Sequence, residues 1–179
     1  MTSPNRIGTE VLLRILVSVA SRHGATQEIG TVVAEVLAEA GHEVDEIEPD
    51  DVGTLAPYAA GVLGSSVYNG RLAASLRELV DRQEGALSAR PVWLFWSGPV
   101  GEDAAPQEPD DVRDAARRTG AYAAQCFPGR LRPAELGIDE RAVVARIDPE
   151  PGDFRDLDDV RAWARTIAEQ LLSPRGPGG

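Results

Sequence analysis

The sequence contains no lysine; all 18 of its basic residues are arginine. That excludes every chemistry built on a lysine amine, including Schiff bases, the Walker A phosphate lysine and the lysine of receiver domains. A single cysteine, Cys126, excludes an internal disulfide, a CxxC redox pair, a cysteine zinc site and a cysteine-bound cluster. No metal site is expected, and the cysteine usage fits a reducing compartment, so a cytoplasmic protein is expected. Basic charge is also scarce: 29 acidic residues leave a net charge of -11, which argues against nucleic acid or an anionic membrane as the partner. No apolar run approaches the ~18 to 20 residues of a membrane span. Val11 to Ala20 imitates the apolar part of an export signal, but Arg14 interrupts it. Ser21, Arg22 and His23 then stand where small residues would mark a cleavage site, so the run reads as a buried strand.

What is present suits one folded domain. Of 179 residues, 42% are hydrophobic and 26% charged, enough for a single core and too short for two ordinary ones. Residues 1–10 and 173–179 read as loose tails around a domain of residues 11–172. Leu12 to Ala20 is a β-rich run, after which the period changes to that of a helix: Ile29, Val33, Val36, Leu37 and Ala40 share a stripe, and Gly41 marks a left-handed end. His42, just beyond, is expected at the surface. Strands are expected at Glu43 to Glu48 and Gly61 to Ser66, and a helix carrying Leu72, Leu76, Leu79 and Val80 is expected to stop before Gly85. Val92 to Trp96 has no polar residue, as a central parallel strand requires. A helix over Asp110 to Thr119, a strand over Ala121 to Phe127 and a final helix carrying Leu157, Val160, Ala164, Ile167, Ala168 and Leu171 complete the pattern. This alternation predicts an α/β fold with a five-stranded parallel sheet, order 2-1-3-4-5, and helices on both faces.

In such a sheet ligands bind beyond the carboxyl ends of the strands. The first such loop matches neither GxGxxG nor GxxxxGK, but gathers Ser18, Ser21 and Thr26 around Gly24 at a helix mouth. It reads either as a phosphate site, served by free N–H groups and the helix dipole, or as a cap with a tight turn. His23 reads either as a phosphate donor or as a solvent-facing turn residue. The third strand ends in Ser65 to Arg71 and the fourth in Ser97 to Gly101, both small, polar and glycine-bearing. Gly70, Gly98 and Gly101 let backbone approach a planar ring, and Tyr68 either stacks on that ring or is an ordinary half-buried tyrosine. Asn69 and Gly70 also suit a simple turn. Cys126 reads as an inert core residue.

These segments resemble the flavodoxin family, and within it the branch that includes menaquinone-dependent protoporphyrinogen oxidase. The resemblance rests on ASRHGAT at the first strand, GSSVYNGR at the third, FWSGPVG at the fourth and GDFRDLDDVRAWA from Gly152 to Ala164, across residues 13–172. It implies a flavodoxin-like three-layer α/β/α sandwich and noncovalent FMN. The phosphate would lie on Ser21, Arg22, His23, Gly24, Ala25 and Thr26. The isoalloxazine would lie between Ser66, Val67, Tyr68, Asn69 and Gly70 on one side and Ser97, Gly98, Pro99, Val100 and Gly101 on the other. Oxidases of that branch carry a long inserted loop, whereas the segment after Gly101, EDAAPQEPDD, is short and acidic.

Three functions follow. The first is an FMN oxidoreductase, protoporphyrinogen oxidase-like with a quinone acceptor and a small-molecule redox substrate. The second is an acidic electron carrier docking on a basic redox partner through Glu102 to Asp111; that segment reads equally as a solvated loop with Asp110 and Asp111 capping the next helix. The third is a flavin-free binding module. An enzyme needs a pocket beside the flavin ring, and a carrier needs only an exposed edge.

Overall fold

The computed structural model describes residues 11–98, 107–122, 124–147 and 151–173. The expected tails at 1–10 and 173–179 lie, apart from Ser173, outside the described residues. Strands β1 (Arg14–Ala20), β2 (Glu43–Glu46), β3 (Ala60–Tyr68), β5 (Val92–Ser97) and β6 (Ala124–Phe127) form a parallel sheet in the order β2-β1-β3-β5-β6. The two-residue β4 (Arg71–Leu72) pairs antiparallel with the end of β3. Counting the five main strands alone, this is the expected order 2-1-3-4-5.

Burial on both faces explains the unbroken apolar strand. Along β5, Trp93 and Phe95 meet α1 (Ala25–Glu39) and α5 (Leu157–Leu172), while Val92, Leu94 and Trp96 meet α2 (Ala74–Ser88) and α3 (Asp110–Thr119). Because successive strand side chains point to opposite faces, a strand covered twice has no solvent-facing position along Val92 to Trp96 that would favour a polar residue. Ile29, Val33 and Leu37 of α1 and Val160, Ala164 and Ile167 of α5 supply one layer, as their helical spacing predicts. Asp156 caps α5, accepting hydrogen bonds from the N–H groups of Asp158 (2.9 Å) and Asp159 (3.2 Å).

Several boundaries differ from the sequence reading. The second strand ends at Glu46, because Pro49 opens a 3-10 turn. α2 passes Gly85 and runs to Ser88, with its irregularity at Gln83 (φ -121°); packing of Leu87 into the core overrides the glycine's weak preference. The fifth strand begins at Ala124 rather than Ala121. Neither Asp110 nor Asp111 caps α3, whose N-cap is Pro109. Instead the Asp111 carboxylate accepts the Leu72 N–H at 3.2 Å, tying α3 to β4. His42 is buried, not at the surface: α1 ends in the left-handed Gly41 (φ +93°), which turns the imidazole inward to accept the Leu13 N–H at Nδ1, 3.4 Å.

Between β6 and α5 lies structure that the periodicity did not reveal. A small antiparallel pair, β7 (Arg130–Leu131) with β8 (Gly152–Asp153), flanks helix α4 (Ile138–Ile147). Among the described residues, no helix is long and apolar enough to cross a membrane.

Candidate functional site

The carboxyl ends of β1, β3 and β5 converge with the β7–α4 segment on a cleft of about 420 Å³, a volume usual for small-molecule sites. Its first wall is the turn from β1 into α1. Gly24 adopts φ +79°, a left-handed conformation that glycine takes without strain, and its N–H donates to Ser21 Oγ at 3.0 Å. No side chain caps the first turn of α1. The first amide to bond back is that of Glu28, to the Gly24 carbonyl at 2.9 Å, so the amides ahead of it carry the helix's partial positive charge without an intrahelical partner. Thr26, almost fully buried, and Ala25 line the cleft beside them. Ser18 does not belong to this group. The strand continues two residues past it, so Ser18 pairs with Leu63 inside the sheet and is fully buried, its hydroxyl without a partner among the described residues.

The second wall comes from β3 and β5. Tyr68 and Arg71 pair across Asn69 (φ +49°) and Gly70 (φ +73°), a two-residue hairpin turn with both central residues left-handed. The turn reading of Asn69 and Gly70 and their place in the cleft therefore both stand: Ser66, Val67, Tyr68, Asn69 and Gly70 all line it. Beside them, at the end of the adjacent strand β5, Ser97 and Gly98 also line the cleft. Gly98 (φ +133°) approaches Val67 so closely that a Cβ would lie 3.3 Å from its carbonyl oxygen. Pro99, Val100 and Gly101 lie outside the described residues.

A third wall was missed by the sequence reading: Arg130 and Leu131 of β7, Leu136, and Val144 of α4. It is tied to the first wall by charge. Glu140 of α4, almost fully buried, accepts from Arg22 Nη1 at 2.8 Å, lies 3.0 Å from His23 Nε2, and accepts the Gly137 N–H at 2.8 Å. Burial pushes the Glu140 carboxyl upward, but the Gly137 N–H, Arg22 and His23 outweigh it and hold it below its ordinary value. The Arg22 guanidinium in turn lies 5.2 Å from the centroid of the Tyr68 ring. Burial, then the Glu140 charge, raises the Tyr68 hydroxyl. Arg130, its side chain 8% exposed, donates to Glu28 Oε1 at 3.1 Å and to the His23 carbonyl at 3.3 Å, while its buried Nε has no partner among the described residues. Arg155 bridges Asp153 at 2.7 Å and Glu28 at 2.5 Å and holds the Asp153 carboxyl down at about 2.

The local signal for this wall was Gly137-x-x-Glu140, the glycine at the N-cap of α4 and the glutamate in its third position bonding back. The pairing of Glu140 with Arg22, 118 residues earlier, has no local signal. Cys126 is half-buried, and burial pushes its thiol up to about 11, so the thiolate is scarce at neutral pH. Among the described residues no group of three His, Cys, Asp or Glu side chains could hold a metal ion.

A family model described as "Flavodoxin domain" matches residues 16–158. Among solved structures, flavodoxin 2 from Bacillus cereus is 21% identical with a TM-score of 0.61, over 88% of this chain and 99% of that one. A flavodoxin from the domain Archaea is 14% identical with a TM-score of 0.60, over 89% and 99%. Rubredoxin oxygen:oxidoreductase from Desulfovibrio gigas is 13% identical with a TM-score of 0.61, over 89% of this chain. This chain spans 36% of the length of that oxidoreductase. At these identities the likeness is one of fold. No curated protein matches the sequence.

Proposed function

The chain belongs to the flavodoxin domain family, and from that premise we propose that it is an FMN-dependent oxidoreductase acting on a small molecule, of the protoporphyrinogen oxidase type with a quinone acceptor. The cofactor of the family is FMN, and the residues present suit it. The uncapped first turn of α1, with Ser21 and Thr26 beside it, offers amides and hydroxyls to a phosphate. The Asn69–Gly70 turn and Gly98 bring main chain rather than bulky side chains to the faces and edge of a planar ring. When bound, FMN supplies the capacity to take up and give back electrons. The chain would position it with Ser21, Gly24, Ala25, Thr26 and the main chain of Arg22 and His23 at the phosphate, Ser66 to Gly70 with Ser97 and Gly98 around the ring, and Tyr68 toward the substrate.

The observation that carries the enzyme reading is the third wall. Leu131, Leu136 and Val144 add an apolar lining to the cleft that Tyr68 also lines, which suits a small apolar substrate and is not required of a carrier that needs only an exposed ring edge. The net charge of -11 favours the second reading, an electron carrier for a basic partner protein. Visible spectra of the purified protein test for flavin. Anaerobic reduction followed by mixing with menaquinone tests the acceptor, and conversion of protoporphyrinogen tests the donor. Rapid one-electron exchange with a basic protein partner, without turnover of any small substrate, would replace the enzyme reading with the carrier.

A further inference from the structure

An arginine and a histidine in a loop that faces a phosphate would ordinarily reach toward the anion. Here both are engaged by a carboxylate of α4 instead. Arg22 Nη1 and His23 Nε2 converge on the two oxygens of Glu140, at 2.8 and 3.0 Å, and Arg22 extends over the Tyr68 ring. Arg130 takes the His23 carbonyl from the other side at 3.3 Å, so residues 22 and 23 are gripped through both side chain and main chain by the segment that follows β6. Ala25 and Thr26, in the first turn of α1, line the cleft beside them. Glu140 is itself fixed by the Gly137 N–H and by burial, so it has no freedom to follow a moving loop.

We propose that Glu140 is a positioning residue for the FMN site: it holds Arg22 and His23 out of the phosphate's place, so that the loop's main chain meets the anion, and it fastens α4 as the third wall. This rests on the FMN reading of the cleft. It separates two contributions that are otherwise confounded. As a bare negative charge near a phosphate, Glu140 weakens FMN binding, and its removal would tighten it. As a positioning group it strengthens binding, and its removal weakens it. The sign of the effect distinguishes the two.

The experiment measures FMN affinity by quenching of flavin fluorescence on binding, alongside the melting temperature of the flavin-free protein, for wild type, Glu140→Gln, Arg22→Gln/His23→Gln and the triple variant. Glu140→Gln is expected to weaken FMN binding about tenfold despite losing a negative charge, on the scale of a lost hydrogen bond to a charged group. In the Arg22→Gln/His23→Gln background the same substitution is expected to weaken binding no further and, with only the charge contribution left, to tighten it, because the positioning by Glu140 acts through those two residues. The double variant leaves the Gly137 cap intact and keeps the test decisive if Glu140→Gln fails to fold; it too should weaken FMN about tenfold. Unchanged or tighter FMN binding by Glu140→Gln, with only a lower melting temperature, would overturn the proposal, as would unchanged affinity in the double variant. Failure of the wild-type protein to bind FMN would overturn the cofactor placement as well, and shows before any substitution is made.

Discussion

Gly64 on β3 lies in register with Phe95 on β5, and the Phe95 ring fills the space that a side chain at Gly64 would take. The ring is fully buried and packs edge-on against Phe127 (6.0 Å) and Trp163 (5.9 Å), so it has nowhere to retreat. Gly64→Ala is therefore expected to lower stability by about 1–3 kcal/mol through overpacking. Urea unfolding measures it; an unchanged midpoint would mean that the Phe95 ring yields at no cost.

Thr26→Ala is expected to weaken FMN binding roughly 10- to 100-fold, the loss of a hydrogen bond to a charged phosphate. The hydroxyl makes no capping bond in α1, so the alternative, a stability loss of ~1 kcal/mol with FMN affinity intact, belongs to a cap that this structure does not have. An FMN titration of both proteins decides between them.

Tyr68→Ala is expected to reduce turnover more than FMN retention. Tyr68 lines the cleft beneath Arg22, on the wall assigned to the ring rather than to the phosphate. Steady-state rates with a quinone acceptor, compared with FMN content after gel filtration, test this; parallel loss of flavin and rate would move Tyr68 into the cofactor grip.

His42 makes stability depend on pH. Burial pushes its imidazole below the ordinary value, so below about pH 6.5 the unfolded chain binds a proton that the folded chain resists. The contribution is complete above that value and is lost as pH falls from it toward the lower folded value. The melting temperature of the wild type should drop more steeply between pH 7 and about pH 5.5 than that of His42→Asn. Parallel slopes would show that His42 takes up its proton in the folded protein as readily as in the unfolded chain.

The sheet and its covering helices were legible because their signals are local. The unbroken apolar run from Val92 to Trp96, the stripe from Ile29 to Leu37 and the apolar face of α5 each fix an element through neighbours within a few residues. The same holds for the loops that follow the strands, since parallel order alone sends their carboxyl ends to one edge. Tertiary structure decided what those loops face. Ser18 and Thr26 are both hydroxyl residues near one glycine, and only the length of β1 placed the first in the sheet and the second in the cleft. His42 reads as a surface residue until the left-handed Gly41 turns it toward Leu13. Glu140 and Arg130 acquire their roles from Arg22, His23 and Glu28, more than 100 residues away. Attraction between charges depends on distance in space, and the sequence records only distance along the chain.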